Sequence, residues 1–204
     1  MHISEGVLSV PVLITGATVC IAGVGIGLKK MDYDKLPRVA VLASAFFLAS
    51  LIHVPIGPSS VHMVLNGVTG LLLGWAAFPA IMIAVALHAI LFQFGGLTTL
   101  GVNTCNMAVP AIVCYYFFRK GVKSDKYWIM ATSAFSCGFF SVLLSSMMVA
   151  ITLAATGEPF FEVAQVAVIA HIPVMVTEGL LTVFCISFLR KVKPETLDIP
   201  YAQS

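Results

Sequence analysis

The residues of this chain best suited to chemistry are its histidines and its first amino group. Met1-His2-Ile3-Ser4-Glu5-Gly6 runs directly into an apolar stretch that starts at Val7. That leaves no room for the basic and apolar regions of a cleaved signal peptide, and His2 is too large to favour methionine removal. The expected N-terminus is therefore Met1, with a free α-amine beside an imidazole. The amine nitrogen, the His2 backbone nitrogen and the His2 imidazole can close fused chelate rings on one ion, giving three nitrogens in roughly one plane. Square-planar nitrogen coordination points to Ni(II) or Cu(II), with Co(II) a neighbour in the affinity series. One more nitrogen would complete the plane. A histidine at position two is common, so Met-His alone is a weak signal.

The other histidines are His53, His62, His88 and His171. A single histidine in a membrane helix more often hydrogen-bonds a neighbouring helix than ligates metal, and that is the expectation for His53, His88 and His171. His62 differs because it ends the stretch Val54-Pro55-Ile56-Gly57-Pro58-Ser59-Ser60-Val61, where prolines remove donors and glycine loosens the backbone. A loop of this kind can present an imidazole to the N-terminal chelate. Metal-bound imidazoles are usually oriented by further hydrogen-bonding groups, and Glu5, Ser59, Ser60, Asn103 and Asn106 are the candidates. Glu178 is an acid within an apolar segment and needs a partner, whether for function or as a structural hydrogen bond. The five cysteines, Cys20, Cys105, Cys114, Cys137 and Cys185, show no C-x-x-C spacing and read as small buried residues. The sequence contains no G-x-x-x-x-G-K-[ST] phosphate loop and no H-E-x-x-H pair.

The elements that must position these groups are membrane helices. Of 204 residues, 59% are hydrophobic and only 10% charged, against roughly 25% charged in a soluble domain, and the mean hydropathy is +1.02. The apolar stretches suit helices of about 20 residues rather than barrel strands. The net charge of +2 gives no reason to expect a nucleic-acid partner. All eleven basic residues fall in three clusters: Lys29, Lys30, Lys35 and Arg38; Arg119, Lys120, Lys123 and Lys126; Arg190, Lys191 and Lys193. By the positive-inside rule these clusters mark the cytoplasm. The expected fold class is all-α: a polytopic membrane bundle of seven transmembrane helices forming a single domain over 1–204. The N-terminus is outside and the C-terminus is cytoplasmic, with spans near 7–28, 39–53, 62–74, 76–92, 104–118, 127–156 and 160–189. The third span is short and glycine-rich, so one crossing is expected to be broken. In this topology every histidine falls in the outer half. Gly23 and Gly27 form a G-x-x-x-G surface for close helix approach, either within the bundle or against another membrane subunit.

MHISEG, HVPIGPSSVHMVLNG, FQFGGLTTLGVNTCNM and AHIPVMVTEGLLT stand in this order along the chain. Together they resemble the CbiM/NikM family, the metal-binding membrane subunits of energy-coupling-factor cobalt and nickel transporters, over nearly the whole chain. The resemblance implies a seven-helix fold whose N-terminus folds into the protein, with metal held by the Met1 amine, the His2 amide and imidazole, and His62. It also implies partners: a transmembrane coupling protein, two ATP-binding cassette subunits and often a small accessory membrane protein. Many nickel members carry a Gly-Gly-Thr type of sequence before the loop histidine, where this chain has Gly57-Pro58-Ser59-Ser60-Val61. That departure favours cobalt.

The expectation is thus a substrate-binding subunit in the cell membrane for uptake of Co(II), with Ni(II) as the alternative ion, and no covalent catalysis. A remoter alternative is an intramembrane metalloenzyme using His2, His62 and Glu178, but such a site has no open metal position or obvious nucleophile. A membrane metal sensor would need a signalling domain, and the sequence after Lys193 is too short for one.

Overall fold

The computed structural model describes residues 1–57 and 59–197. Helix α1 (Val10–Lys30) opens with Pro11 in its first turn, where a missing N–H costs nothing, and closes on Lys29 and Lys30, which complement the negative end of its dipole. After a short turn, α2 (Leu36–Ala49) leads into an antiparallel hairpin, β1 (His53–Ile56) and β2 (Ser59–His62), in which His53 pairs with His62 and Pro55 with Ser60. The chain then continues through α3 (Asn66–Leu73), α4 (Ala77–Phe92), α5 (Leu100–Val122), α6 (Tyr127–Ala154), α7 (Phe161–Ala170) and α8 (Ile172–Val192).

Among the described residues, five segments are long and apolar enough to cross a bilayer: Val10–Lys30, Asn66–Phe92, Leu100–Val122, Tyr127–Ala154 and Phe161–Val192. The expected segment 76–92 agrees with α4 to one residue, within the ordinary uncertainty of a helix end. Three expectations need correction. The helix placed at 39–53 runs from Leu36 to Ala49, and the one placed at 62–74 starts only at Asn66. The cause in both cases is the hairpin: Val54, Ile56 and Val61 favour extended backbone, and Pro55 is tolerated in a strand that has no second neighbour. The segment placed at 160–189 is divided at His171 into α7 and α8, with Pro173 opening the second helix. The all-α expectation holds apart from this single hairpin.

The G-x-x-x-G of α1 is an internal contact. A side chain at Gly23 would strike the Phe78 ring at 2.5 Å, and one at Gly27 would meet Pro79 at 2.6 Å and the Trp75 carbonyl at 2.7 Å. Farther along α1, Gly16 and Ala17 lie against Val102 and Gly101 of α5. Helix α3 is wedged among α5, α6 and α8 with equally little room, since a methyl at Gly67 would lie 2.7 Å from Cα of Gly138. Small residues let backbones approach where the surroundings supply no hydrophobic drive between helices.

The basic residues gather at one end. Lys30, Lys35, Arg38, Arg119 and Lys123 line one cavity of about 170 Å³. Arg38 donates to the carbonyls of Leu72 (2.7 Å) and Thr196, and Arg190 reaches the Ser124 carbonyl and the Asp125 carboxylate. The opposite end is formed by the N-terminus, the hairpin and the turn after α4, and carries the histidines.

Candidate metal site

The N-terminal segment is folded into the protein. Met1, His2 and Ile3 are all but inaccessible to solvent, and side chains and loops from remote parts of the chain hold them. The Met1 amine donates to the Ser60 carbonyl of β2 and lies 3.4 Å from the Ser60 hydroxyl. Ile3 is clamped by Asn103 of α5: its N–H donates to Oδ1 at 2.9 Å, and its carbonyl accepts from Nδ2 at 3.1 Å and from the Thr99 hydroxyl at 3.1 Å. Glu5 completes the attachment, its N–H donating to the Gly95 carbonyl at 3.2 Å and its carboxylate accepting from the Thr98 N–H at 3.1 Å. Gly95 has φ +79°, and a side chain there would press on Asn103 Nδ2 at 2.8 Å, so the glycine loop is shaped to receive this segment.

Held in this way, the His2 ring stands between two imidazoles. It is stacked on His62, with centroids 4.8 Å apart and planes at 19°, and meets His88 edge-on at 5.0 Å. Neither nitrogen of the His2 ring has a hydrogen-bond partner. His62 Nδ1 lies 2.8 Å from the Met63 carbonyl, so Nδ1 carries the proton and Nε2, buried and without a partner, is left with its lone pair. The same logic applies to His88, whose Nε2 faces the Phe47 carbonyl at 2.9 Å, and to His171, whose Nδ1 faces Ala167 at 2.6 Å. Each keeps one buried nitrogen without a partner. Buried polar atoms are normally satisfied, and here four imidazoles, those of His2, His62, His88 and His171, keep buried nitrogens that are not.

Burial favours the uncharged form of these donors. Burial pushes the Met1 amine well below its ordinary value of 8.0. Burial, reinforced by the amine and by His88 and His53, pushes His2 well below 6.5. His62 is lowered by burial, by the amine and by His2, against a smaller opposing effect of the Met63 carbonyl. A protonated nitrogen cannot bind a metal, and burial favours the form of these groups that can. Among the described residues no three His, Cys, Asp or Glu side chains form a metal-binding group.

Of the residues singled out in the sequence, Met1, His2, His62, Ser60, Glu5 and Asn103 meet at this end. Ser59 is buried in the same strand, its hydroxyl without a partner. Asn106 lies one turn along α5 from Asn103 and turns its carboxamide toward Thr152 of α6, at 3.3 Å. His53 packs edge-on against Phe94 at 4.1 Å. Sequence reasoning did not reach the proximity of His88 to His2 or the hold of Thr99 on Ile3, because neither spacing nor composition reveals which helix end meets the N-terminus.

Fold and site together define a polytopic helical membrane protein that folds its own N-terminus into a buried cluster of uncharged nitrogen donors. Residues 2–196 match the family described as the cobalt uptake substrate-specific transmembrane region, CbiM. The chain belongs to the CbiM family, and is thus a metal-transport component of a membrane rather than an enzyme. It is 38% identical to a Haemophilus influenzae protein named for metal transport, with 97% of each chain covered. It is 31% identical to a cobalt transport protein CbiM from Kyrpidia tusciae, covering 97% of this chain and 86% of the relative. With a fused nickel transport protein NikMN of Archaeoglobus fulgidus it shares 26% identity, over 97% and 68% of the two chains. A crystal structure of a transition metal transporter has the same fold, with TM-score 0.75, 24% identity, and 94% and 93% of the two chains covered.

Proposed function

We propose that this chain is the metal-binding membrane subunit of an ATP-driven importer for divalent cobalt, with nickel as the alternative ion. The Met1 amine, the His2 backbone nitrogen and the His2 imidazole supply three nitrogens of a square-planar set. The fourth position lies beside the His2 imidazole, and His62 supplies it through Nε2. The observation that carries this reading is the stacking of His2 on His62 with their lone-pair nitrogens buried and without partners. Ser60 holds the amine, Glu5 and Asn103 hold the segment behind it, and Ser59 lines the same strand. Cobalt and nickel share this ligand preference, and relatives named for each occur. The Gly57-to-Val61 sequence favours cobalt, and cobalamin-synthesis genes beside this one would support it, as urease or hydrogenase genes would support nickel.

The energy comes from other chains, since this one has no phosphate-binding loop. A transmembrane coupling protein and ATP-binding cassette subunits, with a small accessory membrane protein in some assemblies, would work on this bundle in the plasma membrane. The chain crosses seven times with its N-terminus outside. The ion is captured from the outer side, occluded beneath the hairpin and the Phe94–Thr99 turn, and released inward when ATP-driven motion of the partners shifts the bundle between two states.

Metal content of the purified protein, measured by plasma emission, tests the site. The parent should retain close to one Co(II) or Ni(II), whereas a protein with one residue added before Met1 should retain almost none. The extension keeps every side chain and a free amine but displaces the amine from Ser60. Full occupancy in the extended protein would rule out the amine and with it this coordination.

A further inference from the structure

His62 is the ligand of the proposed site that comes from remote sequence, and its orientation depends on one peptide group. The carbonyl of Met63 faces His62 Nδ1 at 2.8 Å and also accepts from the Ser50 hydroxyl at 3.1 Å. The N–H of that same peptide belongs to Val64, and it donates to Glu178 Oε1 of α8 at 2.6 Å. The next N–H, that of Leu65, donates to the same oxygen at 2.7 Å. Leu65 has φ +55°, a left-handed conformation that a branched side chain rarely adopts and that turns two successive N–H groups toward one carboxyl oxygen. Helix α3 begins at the following residue without a side-chain cap of its own, so Glu178 also occupies the positive end of its dipole. Glu178 is wholly buried, its other carboxylate oxygen has no partner, and a methyl at Gly138 would come within 2.5 Å of its backbone carbonyl.

We propose that Glu178 is a positioning residue for metal binding: by holding the Met63–Val64 peptide it fixes the His62 ring and keeps Nδ1 as the protonated nitrogen, leaving Nε2 for the ion. This inference rests on His62 being a ligand. Outer partners of metal-bound histidines act in the same way, and losing one typically costs 10–100-fold in affinity. Here the partner acts through a peptide unit, and it lies on a different helix from the loop it controls. Any displacement of α8 along its axis therefore acts on His62, which links motion of the bundle to retention of the ion.

The test titrates Ni(II) into metal-stripped, detergent-purified protein and records affinity together with the visible absorption that reports the number of nitrogen donors. Glu178→Ala should bind on the order of 10–100-fold more weakly, with the absorption spectrum of His62→Ala. Glu178→Gln, which keeps an acceptor oxygen in place, should recover affinity to within a few-fold of the parent. Glu178→Asp, which keeps the carboxyl group but draws it back by one methylene, should not. In a His62→Ala background Glu178→Ala should add no further loss, because the acid acts through that ring. If Glu178→Ala fails to fold, the contrast between Gln and Asp decides the matter. Parent-like affinity and spectrum in Glu178→Asp or Glu178→Ala, or the same loss with and without His62, would overturn the inference. Normal binding in His2→Ala and His62→Ala would instead overturn the metal site itself, and that result is obtained without touching Glu178.

Discussion

The His2 imidazole is stacked on that of His62, centroids 4.8 Å apart, although sixty positions separate them in the chain. Both rings keep buried nitrogens without a partner, and an ion held by both would satisfy them. Substituting His2→Ala or His62→Ala should therefore abolish stoichiometric Co(II) or Ni(II) retention while leaving the metal-free protein folded. His53→Ala, whose ring packs on Phe94, should keep most of it. Metal analysis after size-exclusion chromatography reads this directly, and retention in His62→Ala would remove that residue from the site.

The hold of Asn103 on Ile3 is expected to matter as much as the ligands. Asn103→Ala would strip a partner from the Ile3 N–H and from its carbonyl inside a buried site. Each group left unsatisfied costs about 1–3 kcal/mol. The result should be a lower melting temperature and a drop of tenfold or more in metal affinity, because the N-terminal segment no longer seats. Unchanged affinity would show that Ser60 and Glu5 suffice.

How far the sequence foretold this site follows from the kind of signal each part carries. Met1-His2 is local chemistry and could be read directly, and His62 was marked by the prolines and glycine that forbid helix before it. The clustering of lysines and arginines pointed to a shared end of the bundle, and in the structure Lys30, Arg38, Arg119 and Lys123 converge on one cavity. What stayed hidden depends on tertiary placement. Val54 and Val61 favour extended backbone, but the sequence does not show that the loop over 54–62 pairs with itself and carries His62 in a strand rather than at a helix start. Glu178 lies more than a hundred residues from the peptide it grips.

The acid response of the metal-free protein follows from the lowered proton affinity of its buried nitrogens. The Met1 amine sits below 8.0, and His2 and His62 below 6.5, because burial disfavours their charged forms. Unfolded, these groups bind protons that the folded protein refuses. Stability is therefore complete above pH 8 and falls as pH drops through 8.0 and then 6.5 toward the folded values. Melting temperatures between pH 8.5 and pH 5.5 should decline, and the decline should flatten in His2→Leu, which lacks one of the groups. A flat profile in the parent would mean that these nitrogens are not held neutral.

Packing of α3 gives a prediction independent of metal. A methyl at Gly67 would fall 2.7 Å from Cα of Gly138, and one at Gly70 would collide with the Ala111 carbonyl, with only backbone to yield. Overpacking of this sort costs about 1–3 kcal/mol or more. Gly67→Ala and Gly70→Ala should both lower the melting temperature measurably. Gly25→Ala, which would meet nothing within 4 Å, should not.

The number of crossings turns on α2 and α3. At about 1.5 Å per residue they measure roughly 21 Å and 12 Å, too short to span about 30 Å of hydrocarbon unaided. If the hairpin makes up the difference and the chain crosses seven times, the residue before it belongs to the same side as Gly157, in the turn between α6 and α7. Ile52 is 85% exposed, so a cysteine there is accessible to a reagent. In a background with the five native cysteines replaced, Ile52→Cys and Gly157→Cys should react with an impermeant maleimide on intact cells. Tyr33→Cys and Ser124→Cys, beside the basic clusters, should react only after permeabilisation. If α2 and α3 instead turned back within the membrane from the basic side, Ile52→Cys would behave like Tyr33→Cys. That pattern would reduce the count to five crossings and leave the hairpin without an outer surface to close.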